Sequence, residues 1–269
     1  LMNGDGSLSV YDAARQSFLV SRLPIPRSFR QFFSTVTVSP QGSFAAIVSA
    51  SLFSRQISLF KTYDLIEQEF ALPVATYTLP REKKGDMNVI FAQDEKTVFF
   101  AYGNTLHFLS TERQEQKELI IGGTLGSIVL TGSDRLAVLH EDAGAITIID
   151  ASHQRIVKTI EVESIPLQAI YNAIPQKLYV MHKESGNLSV IDPQIAARES
   201  NISVGKNPSS LAVNTQNGDI FVAHGTEGVA SIIDKNNRVK TFDLDSLLGT
   251  GYFPFFFSFF PQLYFWQYF

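Results

Sequence analysis

The sequence predicts an all-β fold assembled from repeats, and three observations carry that prediction. A short apolar run closed by an acid recurs as Thr147-Ile-Ile-Asp150, Ser189-Val-Ile-Asp192 and Ser231-Ile-Ile-Asp234, with the acids 42 residues apart both times. Within each repeat the apolar residues alternate with period two or form short continuous runs, which is the pattern of strands and not of helices. Turn residues divide each repeat into four such strands, and four strands in about 40 residues is the period of a β-propeller blade. The predicted architecture is a β-propeller of four-stranded antiparallel blades, about six in number, or seven if the chain is a fragment.

In chain order, residues 1–25 supply half a blade, with strands over Ser7–Asp12 and Phe18–Leu23. Five full blades are expected over residues 34–244. The first takes Thr35–Val38, Ser43–Ser49, Gln56–Lys61 and Ala75–Leu79. Between its last two strands, Thr62–Phe70 is read as a strand end and a lengthened loop, because no stretch of ten residues shows helical periodicity. The second takes Asn88–Ala92, Thr97–Tyr102, Thr105–Ser110 and Gln116–Ile121. The third takes Ser127–Leu130, Arg135–His140, Ala145–Asp150 and Arg155–Val162. The fourth is the clearest, with Leu167–Tyr171, Lys177–His182, Asn187–Asp192 and Glu199–Val204 separated by turns at Asn172-Ala-Ile-Pro175, Glu184-Ser-Gly186 and Asp192-Pro193. The fifth repeats it with Ser209–Val213, Asp219–His224, Val229–Asp234 and Val239–Leu244. Extended backwards, the repeat puts Ser110, Asp64 and Asp12 at the position of the acid, at steps of 40, 46 and 52 residues.

Composition narrows the function. The 269 residues are 45% hydrophobic and 18% charged, which is a folded chain. Twenty-two basic residues against 26 acidic ones give a net charge of −4, so nucleic acid is not an expected partner. Cys is absent, which excludes disulfides, thiolate metal sites, iron–sulfur clusters and Cys nucleophiles. No Gly-x-Ser-x-Gly elbow occurs. Gly122-Gly-Thr-Leu-Gly126 lacks the Lys and the helix of a phosphate loop. Arg81-Glu-Lys-Lys-Gly-Asp86 reads as a solvated mixed-charge loop and Asn3-Gly-Asp-Gly-Ser7 as a hairpin turn rather than a Ca²⁺ loop.

Of 32 aromatic residues (22 Phe, nine Tyr and one Trp), 12 lie in the last 20 positions. A propeller closes by combining strands from both chain ends, so the N-terminal half blade asks for two strands beyond Leu244. Phe255–Phe260 and Leu263–Tyr268, either side of Pro261-Gln262, are the candidates within the aromatic tail, residues 245–269. The competing readings are an artefactual, truncated or frameshifted end and membrane association. Pro254, Pro261 and the lack of flanking basic residues argue against a membrane-spanning helix there.

Two sets of residues are candidates for a site. His140, His182 and His224 each precede a repeat acid by ten residues, so all three end the second strand of consecutive blades, on one face. Histidines gathered from several blades can hold a metal, a haem or an anion. The competing reading is structural, a residue copied by duplication and hydrogen-bonded to the adjoining turn. The distance weighs toward it, because one ion needs its ligands about 2 Å away and blades splay apart. The acids Asp12, Asp64, Asp150, Asp192 and Asp234 are read as turn residues that accept backbone N–H groups. Asn187-Leu-Ser189 and Asn201-Ile-Ser203 fit the glycosylation pattern, a short match that carries little.

The repeats resemble the YVTN (WD40-like) family of β-propeller repeats found in bacterial surface-layer and periplasmic proteins. The resemblance rests on Arg155-Ile-Val-Lys-Thr-Ile-Glu-Val162 followed by Pro166, on Ile202-Ser-Val-Gly205 followed by Pro208, and on Lys177-Leu-Tyr-Val180 and Gly186-Asn-Leu-Ser-Val-Ile-Asp192. It covers residues 122–244 well and 1–121 loosely, since Met181-His182 stands where the family favours Asn and the earlier blades lack the Gly-x-x-Pro turn. It implies a rigid scaffold whose members bind proteins, bind cofactors or hydrolyse lactones. The expected function is a non-enzymatic binding or scaffold protein, without a cofactor, presenting loops to a protein or small-molecule ligand. The alternative is a propeller-class enzyme or metal- or haem-binding protein, a lactonase-like hydrolase or redox carrier, using the face of His140, His182 and His224. The resemblance and the lack of Cys point to the periplasm or cell surface. No signal peptide is present in this chain, which begins within a repeat at Leu1.

Overall fold

The computed structural model describes residues 8–12, 17–23, 32–50, 54–67, 72–80, 87–113, 115–132, 134–163, 165–182, 184–225 and 228–243. The chain divides into two compact units, Leu1–Ile120 and Ile121–Phe269. The tail and the runs Arg81–Asp86 and Asn3–Ser7 lie outside the described residues.

The first unit begins with a two-stranded antiparallel sheet, β1 (Leu8–Asp12) on β2 (Ser17–Leu23). The first four-stranded sheet follows as a meander of β3 (Phe32–Val38), β4 (Phe44–Ala50), β5 (Ser54–Lys61) and β6 (Ala75–Pro80). The second is β7 (Val89–Phe91), β8 (Thr97–Tyr102), β9 (Thr105–Ser110) and β10 (Gln116–Ile120). Their facing surfaces form one core: Ala46, Val48, Ile57, Leu59 and Tyr77 from the first sheet pack with Val89, Val98, Phe100 and Leu109 from the second. In β4 the residues between these, Ala45 and Ile47, are buried as well, so the strand is covered on both faces and reads as a continuous apolar run. One expectation fails here. Thr62–Glu67 forms a short helix, α1, instead of extending the strand. Its anchor is Leu65, 2% exposed, and Asp64 in its first turn suits the helix's positive end.

The second unit holds three four-stranded meanders. The third sheet is β11 (Leu125–Leu130), β12 (Arg135–His140), β13 (Ala145–Asp150) and β14 (Arg155–Glu161). The fourth is β15 (Pro166–Asn172), β16 (Lys177–His182), β17 (Asn187–Asp192) and β18 (Ala197–Ser203). The fifth is β19 (Pro208–Val213), β20 (Ile220–His224), β21 (Val229–Ile233) and β22 (Val239–Asp243). The fourth sheet is sandwiched. Leu178 and Val180 face Ile146, Ile148 and Ile160 of the third sheet, while Tyr179 and Met181 face Leu211, Ile220 and Val222 of the fifth. Successive side chains of one strand thus enter opposite cores, each such burial contributing about 1.5–3 kcal/mol.

The outermost strands are different. Along β14 only Ile160 is buried and along β18 only Ile202, and both carry charged residues that discourage edge pairing. Each also bulges at the same place, leaving Val157 and Glu199 as the extra residue.

Candidate functional site

Each sheet of the second unit contains a polar ladder set into an otherwise apolar layer. On the third strand the ladder position is Thr147, Ser189 or Ser231, opposite Val138, Val180 or Val222 on the second strand. Across the outer strand its partner is Thr159, Asn201 or Thr241. His140, His182 and His224 stand two residues beyond those valines, hence on the same side of the sheet and diagonal to the hydroxyl. The Nε2–Oγ distances are 2.8, 2.8 and 2.9 Å. The three hydroxyl residues are 0% exposed, and the histidines 8%, 0% and 4%.

In the fourth sheet the hydrogen bonds that run from Glu163 to His182 Nε2 have one direction. Glu163 accepts the side-chain amide N–H groups of Asn187 (2.9 Å) and of Asn201. The Asn187 amide foremost holds its carboxyl below the usual carboxylate range against the opposing effect of burial, with the Ser185 hydroxyl and the neighbouring His182 and Arg198 adding to the lowering. A carboxylate only accepts, so the NH₂ of Asn201 faces Glu163 and its carbonyl Oδ1 faces Ser189, 3.1 Å away. Ser189 donates its one proton to that carbonyl. His182 Nε2 therefore donates to Ser189 Oγ.

His224 is tied to the connection that enters its own sheet. His224 Nδ1 is 2.7 Å from the carbonyl oxygen of Lys206. His140 is held in its neutral form by burial, against the opposing pull of Asp142. Burial pushes the Asp142 carboxyl up, and hydrogen bonds from the Thr124 amide (2.8 Å) and hydroxyl bring it below its ordinary value. Gly123, at φ +65°, lets the chain pass here, since a Cβ would stand 3.1 Å from both Asp142 Oδ1 and His140 Nδ1.

The acids sit at the turns after the third strands. Asp150 Oδ1 accepts the His153 amide (3.0 Å), and that bond chiefly lowers its pKa. Asp192 accepts the Gln194 and Ile195 amides (2.7 and 3.2 Å) and pairs with Lys177 (2.7 Å), the main cause of its lowered pKa. Asp234 accepts the Asn236 and Arg238 amides (2.8 and 3.0 Å), the latter the main cause of its lowered pKa. In the second sheet the Ser110 hydroxyl takes over the role, accepting the Glu112 and Arg113 amides at 3.3 and 3.1 Å. Asp12 ends β1. Asp64 is a correction: it lies in α1, and Lys61, paired with Phe44, occupies the register of the acid.

The hydroxyls of the ladder were visible but unread in the sequence. Thr147, Ser189 and Ser231 open the recurring four-residue runs, three positions before each acid. Counting three back from Ser110 gives His107, which fills the ladder position of the second sheet between Phe100 and Glu118. Its ring stacks on Phe100 at 4.4 Å, with Nδ1 3.1 Å from the Gln116 amide nitrogen and 3.4 Å from Glu118. In the first sheet Ser58 fills the position, opposite Ile47 and Thr76.

This geometry does not fit a shared metal. Each histidine of the register directs Nε2 at the hydroxyl of its own sheet, and no three His, Asp or Glu among the described residues form a group able to hold an ion. The same engagement leaves no Nε2 of the three for a haem iron.

No protein-family model matches the chain, and no curated protein is similar to it. Solved structures are. Virginiamycin B lyase from Staphylococcus aureus aligns at 13% identity over 87% of this chain and 76% of its own, with a TM-score of 0.64. Dihydro-heme d1 dehydrogenase NirN, in complex with DHE, aligns at 15% identity over 88% of this chain, also with a TM-score of 0.64. This chain spans about half (51%) of the dehydrogenase's length. Both are β-propeller proteins, and at this identity the likeness shows the fold. The chain is a β-propeller of four-stranded antiparallel blades.

Proposed function

We propose that this propeller is a non-enzymatic binding protein whose loops recognise a protein or small-molecule ligand. The observation that supports the reading is the polarity of the His182–Ser189 pair. A serine hydrolase needs its imidazole to take the proton of the serine. Here Glu163 and Asn201 orient the relay the other way, and the hydroxyl is sealed from solvent. Recognition by shape needs only rigid loops on a fixed scaffold. The periplasm or cell surface is the proposed location, in keeping with the YVTN-like repeats. Among the described residues no helix is long and apolar enough to cross a membrane.

The test is a turnover screen of the purified full chain with esters, lactones and redox substrates, alongside metal and haem analysis. No turnover above background and no stoichiometric metal are expected. Turnover that His182→Gln abolishes in a folded protein, or bound metal that it removes, overturns the reading.

A further inference from the structure

At the seam between the fourth and fifth sheets, hydrogen-bond donors and acceptors balance in only one protonation state. His224 Nδ1 lies 2.7 Å from the Lys206 carbonyl oxygen and Nε2 lies 2.9 Å from Ser231 Oγ. Ser231 Oγ is in turn 3.1 Å from the Val204 carbonyl oxygen and 3.3 Å from Thr241 Oγ1. A carbonyl oxygen supplies no proton, so Nδ1 carries one. Ser231 has one proton and faces two claims on it, the Val204 carbonyl and, whenever it is unprotonated, Nε2.

We infer that His224 and Ser231 form a proton-operated latch across this seam. When the ring takes a second proton from solvent, Nε2–H donates to Ser231 and the hydroxyl is released to donate to Val204. The imidazolium then reaches the Lys206 carbonyl directly and the Val204 carbonyl through Ser231, tying the end of the fourth sheet to the fifth by charge-assisted bonds. When Nε2 loses its proton, Ser231 turns its hydroxyl to the ring. The Val204 carbonyl is left facing an oxygen lone pair. Thr241 can donate to Ser231 in either state.

The latch belongs to the fifth sheet alone among the three. The proton of Ser189 goes to Asn201 within its own sheet, and Thr147 meets Thr159. The ring is held by its two hydrogen bonds, and the connection at Gly205 (φ +104°) runs beside it, where a Cβ would make ordinary contact with His224 Cε1 at 3.5 Å. Among the described residues, the charged and titratable side chains on the elements around it are Arg198 and Glu199 on β18, Lys206 on the connection, Lys240 and Asp243 on β22, His182 at the end of β16 and Glu184 in the β16–β17 turn. β19 and β21 carry none. The inference stands independently of what the propeller binds.

The test uses the full chain with ¹⁵N-labelled histidine, its ring signals followed from about pH 8 to about pH 5, with His224→Gln assigning the resonance. The expected result is a His224 ring that becomes protonated on both nitrogens. Intrinsically corrected amide exchange across residues 204–206 should slow several-fold over the same interval, and Ser231→Ala should abolish that slowing. A ring that stays singly protonated throughout overturns the latch. So does an exchange profile that is the same with and without the Ser231 hydroxyl. The ring titration of the unaltered protein decides by itself if the variant does not fold.

Discussion

The two sheets before residue 121 and the three after it place a polar group at the same point of the third strand and treat it differently. In the later sheets a buried histidine from the neighbouring strand closes over a small hydroxyl. In the second sheet the histidine itself, His107, occupies the hydroxyl's position, stacks on Phe100 and turns its nitrogen toward Gln116 and Glu118 on the outer strand. In the first sheet Ser58 is half-buried, and the position of the register histidine is filled by Ser49. A buried polar atom is costly only where water cannot reach it. The later sheets, whose hydroxyls are fully buried, therefore depend on each partner more than the first sheet does at half-buried Ser58.

Substitutions can break or sharpen that contrast. The largest difference is expected at glycine. Gly186→Ala places a Cβ 2.7 Å from the Gly205 carbonyl oxygen at φ +65°, and should destabilise the second unit by about 3 kcal/mol in denaturant unfolding. Gly42→Ala in the first sheet meets nothing within 4 Å and should cost about 1 kcal/mol, from its positive φ alone. Next come the ladder hydroxyls. Ser189→Ala strands the His182 N–H in a dry site and should cost about 2 kcal/mol, against under about 0.5 kcal/mol for Ser58→Ala. Equal losses at these two positions would erase the distinction.

Acid should also act on the second unit, from two directions of shift. Glu163 is held below its ordinary value, so its contribution is present above that value and lost as pH falls through the folded one; Glu163→Gln should flatten this limb of the unfolding profile. His140 is held neutral by burial, so the unfolded chain takes up its proton first. Stability should therefore fall as pH drops through the histidine range, and His140→Gln should remove that dependence. Smallest of all is the turn cap. Asp192→Ala, which loses two amide bonds and Lys177, should cost about 1 kcal/mol, and Ser110→Ala about 0.5 kcal/mol.

Much of the fold was legible because a strand's period of two is written directly in residues such as Leu178-Tyr179-Val180-Met181, whose alternate members enter different cores. The histidine register was legible for a related reason, since equal spacing in a repeat means equal place in the sheet. What His140, His182 and His224 do was not. Their partners lie seven residues away on the next strand, and the orientation of His182 is fixed by Glu163, outside its own repeat spacing. The α1 helix was missed because six residues around one buried leucine are too few to show a period. Asp64 was misplaced with it, because the acid's position was counted by repeat length and not by pairing.

The 42-residue spacing has a consequence for how such a chain can change. Val138–Thr147, Val180–Ser189 and Val222–Ser231 are the same pair in the same register, three times over. A genetic crossover between equivalent codons of any two of these repeats would add or remove one whole sheet, with every remaining strand still in phase. The outer faces of the fourth sheet already match a neighbour on each side, so the new junction would meet familiar surfaces. Length variation in this part of the protein should arise in whole sheets, and an insertion of any other size should be confined to the turns.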